Sequence, residues 1–74
     1  MRFTRHALNR LRFHRLSRSE VVELVWTDAG WISHDESGNI AVTGFVRGRR
    51  VTVVVAADEP GLIITVIGER RARP

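Results

Sequence analysis

The chain contains no cysteine, no lysine, only two prolines and no apolar run long enough to span a bilayer. Without cysteine there can be no disulfide and no thiolate metal site. A chain of 74 residues makes one small domain. Domains of this size bury a modest fraction of their surface. Stability is therefore expected from a well-packed sheet, or from a dimer interface. The stretch Met1-Arg2-Phe3-Thr4-Arg5-His6 is followed by no apolar signal core, so a cytoplasmic protein with no membrane partner is expected.

All 12 basic residues are arginine, and the net charge is +4. A GC-rich coding sequence accounts for the missing lysine as well as any chemistry does. The distribution says more. Arg2, Arg5, Arg10, Arg12, Arg15 and Arg18 crowd the first eighteen residues; Arg47, Arg49 and Arg50 surround one turn; Arg70, Arg71 and Arg73 lie in the tail. Acids concentrate elsewhere, at Glu20, Glu23, Asp28, Asp35, Glu36, Asp58 and Glu59. Such segregation predicts a basic face that attracts phosphate, or equally an acidic protein partner.

Thr4 is a suitable N-cap, and Ala7, Leu8 and Leu11 form one helical stripe after it, predicting a helix over about 5–15. Arg15 falls over that stripe, so the helix must end there or Arg15 must snorkel. Ser17 and Glu20 form a capping box that opens a second helix over about 18–27, with Val21, Leu24 and Val25 inward. Asp28-Ala29-Gly30 ends the helical part. Strands are expected at about 31–34, 39–47, 50–57 and 62–68. The three connections between them are Asp35-Glu36-Ser37-Gly38, a Gly48-Arg49 hairpin turn, and Asp58-Glu59-Pro60-Gly61. Gly44 suggests a bulge. The fold class is α+β, with two N-terminal helices packed on a four-stranded antiparallel meander. Alternation puts Leu62, Ile64 and Val66 on one face of the last strand and Ile63, Thr65 and Ile67 on the other. With both faces apolar except at Thr65, this strand reads as central, or as an edge that pairs with a second copy through outward Ile63 or Ile67.

His6 and Arg10 stand four apart, hence neighbours on one helix face, with Phe13 near the same side. The bland alternative leaves both solvated, with Phe13 packing once the helix breaks. His14 offers either phosphate contact or a cation at the helix C-terminus, and His34 is expected to be exposed. Three histidines without acids at ligand spacing do not make a zinc site, so neither metal nor cofactor is expected. Thr65 is the hydroxyl inside the apolar last strand, although a strand threonine needs no function. There is no nucleophile elbow, phosphate-binding glycine loop or paired-carboxylate motif.

His6-Ala7-Leu8-Asn9-Arg10-Leu11, Leu16-Ser17 and Glu20-Val21-Val22-Glu23-Leu24-Val25, with Val53-Val54-Val55-Ala56-Ala57 and Ile63-Ile64-Thr65-Val66-Ile67 later, resemble a bacterial domain-of-unknown-function family. Its marks are a His-Ala-x-x-Arg helix, an Ile-Ser-x-x-Glu-Val second helix and a closing Ile-x-Thr-Val strand. That family is similar to the RelE and BrnT toxins, and more widely to barnase, EndoU and the colicin ribonucleases. The resemblance implies a RelE-like fold and metal-independent cleavage of RNA by 2′-hydroxyl attack, in a toxin held by an acidic antitoxin. It implies His6 as general acid or base, Arg10 as the phosphate clamp and Thr65 as a hydrogen-bonding partner of phosphate or water. Arg47, Arg49 and Arg50 would track the RNA backbone, joined by Arg5, His14 and Arg15. Where the family carries arginine and glycine before its helix corner, this chain has His14 and Arg15, which predicts a different corner and leaves His14 or Arg15 to substitute for the arginine. Two other readings compete: a non-catalytic module that binds nucleic acid or an acidic partner through the same arginines, and a structural homodimer.

Overall fold

A computed structural model describes residues 1–27, 31–59 and 61–68. Asp28-Ala29-Gly30, expected to end the helical part, the ring of Trp31, Pro60 and the charged tail lie outside the described residues. The elements run β1 (Arg2–Phe3), α1 (Arg5–His14), α2 (Arg18–Trp26), β2 (Trp31–His34), β3 (Ile40–Val46), β4 (Arg49–Val55) and β5 (Leu62–Gly68). The fold is α+β. The sheet is mixed and five-stranded, in the order β1-β5-β4-β3-β2.

The antiparallel meander expected from the sequence is β2 to β5. The expectation of four strands needs one correction: β1 adds a fifth, parallel to β5, with Arg2 opposite Leu62 and Phe3 opposite Ile63. Two residues carry no alternation that could have announced a strand. Among the described residues no helix is long and apolar enough to cross a membrane.

Both helix starts follow their caps. Thr4 accepts the Ala7 N–H at 3.0 Å, and its own hydroxyl donates to the Ile64 carbonyl at 2.8 Å, so the residue that starts α1 also ties it to β5. The Ser17–Glu20 capping box is complete, with both reciprocal bonds made. Arg15 neither continues the helix nor snorkels. It adopts φ 57°, ψ 46°, a left-handed conformation that usually belongs to glycine, and its N–H and that of Leu16 return to the carbonyls of α1's last turn. Absence of glycine therefore does not prevent a left-handed corner here.

Ala7, Leu11, Leu16, Val21 and Leu24 cover one face of the sheet, meeting Val42, Val46, Val51, Val53, Val55, Ile63 and Val66. Five of these side chains are fully buried (Ile63, Val21, Val51, Val53, Val66), each stabilising the fold by roughly 1.5–3 kcal/mol. Gly44 is not a bulge. It pairs in register with Val51, and a Cβ there would sit 3.1 Å from Leu24 Cγ, so the glycine lets α2 lie close to β3. The bulge falls in β5. Val54 faces Thr65 and Val55 faces Ile63, leaving Ile64 without a partner in β4. Strict alternation therefore fails: Ile63 and Val66, three apart, are both fully buried, and only Ile67 of the two expected outward isoleucines is exposed. The β3–β4 turn also shifts by one residue. It is Arg47-Gly48, at φ 51° and 77°, closed by the Val46–Arg49 pair.

Candidate functional site

Helix α1 lies along β5, held by the buried Ala7 and Leu11 and by the Thr4–Ile64 bond. Three polar side chains, His6, Arg10 and His14, recur every four residues on the flank of this packed stripe. At the N-terminal end, His6 Nε2 is 2.9 Å from Thr65 Oγ1, both on accessible surface. Thr65 directly follows the unpaired Ile64, so the bulge that interrupts β5 sits beside this contact. Residues 59 apart in sequence are thus joined. Either group can donate, depending on the imidazole tautomer.

One turn on, the Arg10 guanidinium bonds His14 Nε2 at 3.1 Å and lies 4.7 Å from the centroid of the Phe13 ring. Phe13 stays on the helix, 68% exposed, and meets the His14 ring edge-on at 5.0 Å. The sequence left Phe13 without a role; it forms the platform under Arg10.

His14 sits differently from His6. Its Nε2 accepts the Gly68 N–H at 3.1 Å as well as the Arg10 guanidinium. Both partners can only donate, so Nε2 must be unprotonated and the ring proton must lie on Nδ1. Burial, and then the neighbouring charges of Arg10 and Arg49, hold the His14 pKa below its ordinary value. His14 is thus a neutral acceptor rather than a cation at the helix end. Gly68 makes this possible: a Cβ there would be 2.7 Å from His14 Nδ1.

The remaining arginines divide. Arg49 donates to the His14 carbonyl and Arg47 to the Arg15 carbonyl, satisfying the open C-terminal end of α1. Arg47 also pairs with Glu20, joining the β3–β4 turn to the start of α2. The Glu20 carboxyl is held below its ordinary pKa, first by the Ser17 N–H and then, against the opposing effect of burial, by Arg47. Arg50 is exposed and alternates to the sheet face away from the helices, opposite Phe45 in register. Arg5 and Arg15 are exposed at the two ends of α1. His6 and Thr65 are thus brought together, Arg10 and His14 bond one turn further along α1, and Arg49 and Arg50 alternate to opposite faces of the sheet. Among the described residues, no three His, Asp or Glu side chains come together as metal ligands. A separate open groove of about 290 Å³ lies between α2 and β3, where Glu20 and Arg47 already pair.

The chain matches no protein-family model, no curated protein and no solved structure significantly.

Proposed function

We propose that this protein is a metal-independent endoribonuclease on a RelE-like scaffold, acting as the toxin of a toxin–antitoxin or contact-inhibition system. One observation carries the reading: His6 Nε2 lies 2.9 Å from Thr65 Oγ1 on open surface, with Arg10 one helical turn away. Transesterification of RNA needs a group to move the 2′-hydroxyl proton and a cation to stabilise the phosphorane. His6 moves the proton, Thr65 orients its ring, and Arg10 receives the phosphate oxygens. The 2′-hydroxyl gives its proton to His6 as its oxygen bonds phosphorus; the bond from phosphorus to the 5′-oxygen breaks, and that oxygen takes the proton back from the His6 imidazolium, giving a 2′,3′-cyclic phosphate and a 5′-hydroxyl. Exposed Arg5, Arg12, Arg15 and Arg18 supply positive surface for the strand, and the same surface suits an acidic antitoxin.

A second reading is a non-catalytic module that binds nucleic acid or an acidic partner. It is favoured by His14 being engaged as an acceptor, which leaves His6 as the one imidazole of this surface able to relay a proton. Labelled RNA incubated in EDTA with wild type and with His6→Ala separates the two. Cleavage by wild type alone, with cyclic-phosphate ends, supports the enzyme. RNA bound but uncut by both, with affinity lowered and salt dependence reduced by arginine substitutions, supports the module.

A further inference from the structure

The Arg10 guanidinium ends a long side chain at the edge of α1, where an unassisted arginine would be free to rotate. Two neighbours do. The Phe13 ring lies beneath it at 4.7 Å, and His14 Nε2 accepts from its Nη2 at 3.1 Å. His14 in turn is fixed from the sheet. The Gly68 N–H donates to the same Nε2, and the missing Cβ of Gly68 leaves the space that the ring occupies. The Arg49 guanidinium then donates to the His14 carbonyl, fixing the backbone at that position. From β5 to Arg10 there is therefore a short chain of contacts: Gly68 amide, His14 ring, Arg10 guanidinium.

We infer that His14 is a positioning residue, whose unprotonated Nε2 holds Arg10 in place one helical turn from His6. That Arg10 meets phosphate rests on the ribonuclease reading; that His14 restrains Arg10 does not. The inference differs from a direct role of His14 in phosphate binding. A cationic imidazole could not accept from Arg10 and from Gly68. Its Nε2–H would meet two other donors, and Arg10 would have to swing away. The site therefore needs His14 neutral for Arg10 to stay where it is, and a substitution that keeps an acceptor at this point should keep the arginine in place.

The test is NMR on the wild-type protein, followed by His14→Gln and His14→Leu. In wild type, His14 Nε2 should show the chemical shift of an unprotonated ring nitrogen, with a hydrogen-bond coupling to the Gly68 amide. The Arg10 guanidinium should rotate slowly about its Cζ–Nη bonds, with exposed Arg12 as the freely rotating control. His14→Leu should release Arg10 to rotate like Arg12, and His14→Gln should restrain it again. If RNA is cleaved, kcat/KM should fall by about tenfold in His14→Leu, the scale of one lost charge-assisted hydrogen bond, and recover with glutamine. Protonated Nε2 in wild type, or Arg10 rotating as freely as Arg12, would overturn the inference even if no variant folds. Loss of cleavage in both variants with Arg10 still restrained would also overturn it, since His14 would then act on the substrate directly. Restrained Arg10 in a protein that cuts no RNA would leave the positioning role standing and remove the ribonuclease reading. RNA cleavage with a freely rotating Arg10 would do the opposite.

Discussion

Helix α1 carries two histidines on one flank, eight residues apart, and the fold uses them in opposite ways. His6 is exposed and has one side-chain partner, a hydroxyl able to donate or accept. His14 is half-buried between α1 and β5, and its free lone pair is already shared by two obligate donors. The residue type is the same and so is the helix. What differs is the strand beneath each ring: a threonine beside a bulge under His6, and a glycine at the strand end under His14. An imidazole with one exposed hydroxyl partner and one held between two donors are thus distinguished by the sheet, not by the helix.

Four substitutions or conditions test this contrast, beginning with the largest effect. His6→Ala should lower RNA cleavage by about 10²–10⁴-fold, the range for losing a general acid or base, while leaving the urea midpoint nearly unchanged because the side chain is exposed. A comparable loss of activity in His14→Gln would erase the distinction between the two histidines.

Gly68→Ala should destabilise the fold by about 1–3 kcal/mol in urea denaturation, since the new methyl meets the ring at His14 Nδ1 and Cγ, within 2.9 Å. The same exchange at Gly44 meets the end of a Leu24 side chain at 3.1 Å or more and should cost less. Equal costs would mean that the His14 ring moves aside as easily as a leucine.

The third test is pH. The folded-state pKa of His14 is lowered from 6.5, by burial first and by Arg10 and Arg49 next. The unfolded chain then binds more protons than the folded one as pH falls past that value, so stability from this group is full above about 6.5 and declines below it. Chemical denaturation across pH 5–8 should show this slope in wild type and lose it in His14→Gln. Glu20 contributes in a lower window: its lowered pKa gives stability present above 4.5 and lost as pH falls further. A slope that persists in His14→Gln would place the titrating group elsewhere.

The smallest effect is expected at the corner that ends α1 just beyond His14. Arg15 holds φ 57°, where a Cβ is strained and glycine is not. Arg15→Gly should stabilise by about 0.5–1 kcal/mol in a urea titration, because the Arg15 carbonyl that Arg47 uses is retained. A loss of stability would mean that the arginine side chain contributes more than its backbone strain costs.

Much of this protein is legible from neighbours in sequence. Thr4 and the Ser17–Glu20 box start the helices, and the Ala7–Leu11 and Val21–Leu24 stripes face the core, because capping and helical periodicity act over three or four residues. Three of the four meander strands likewise emerge from runs rich in β-branched residues between turn residues, and short Trp31–His34 from the turn residues that follow it. The same local patterns offered His6, Arg10 and Thr65 as candidates, but spacing alone could not join a helix to a strand 59 residues away. Nor could it reveal β1, whose two residues become a strand only by pairing with β5. The bulge at Ile64 is visible only from register, and it reverses the faces that alternation assigned to Ile63. Charge alone could not show that Arg47 and Arg49 bond the open carbonyls at the end of α1, because that requires the helix end to be brought against the β3–β4 turn. His14 is the clearest case. Its sequence position offers a cation at a helix end, and the donors that make it neutral come from Arg10 on its own helix and from a glycine amide 54 residues further along. Protonation is set by the groups that surround an imidazole in space, and only the packed chain assembles them.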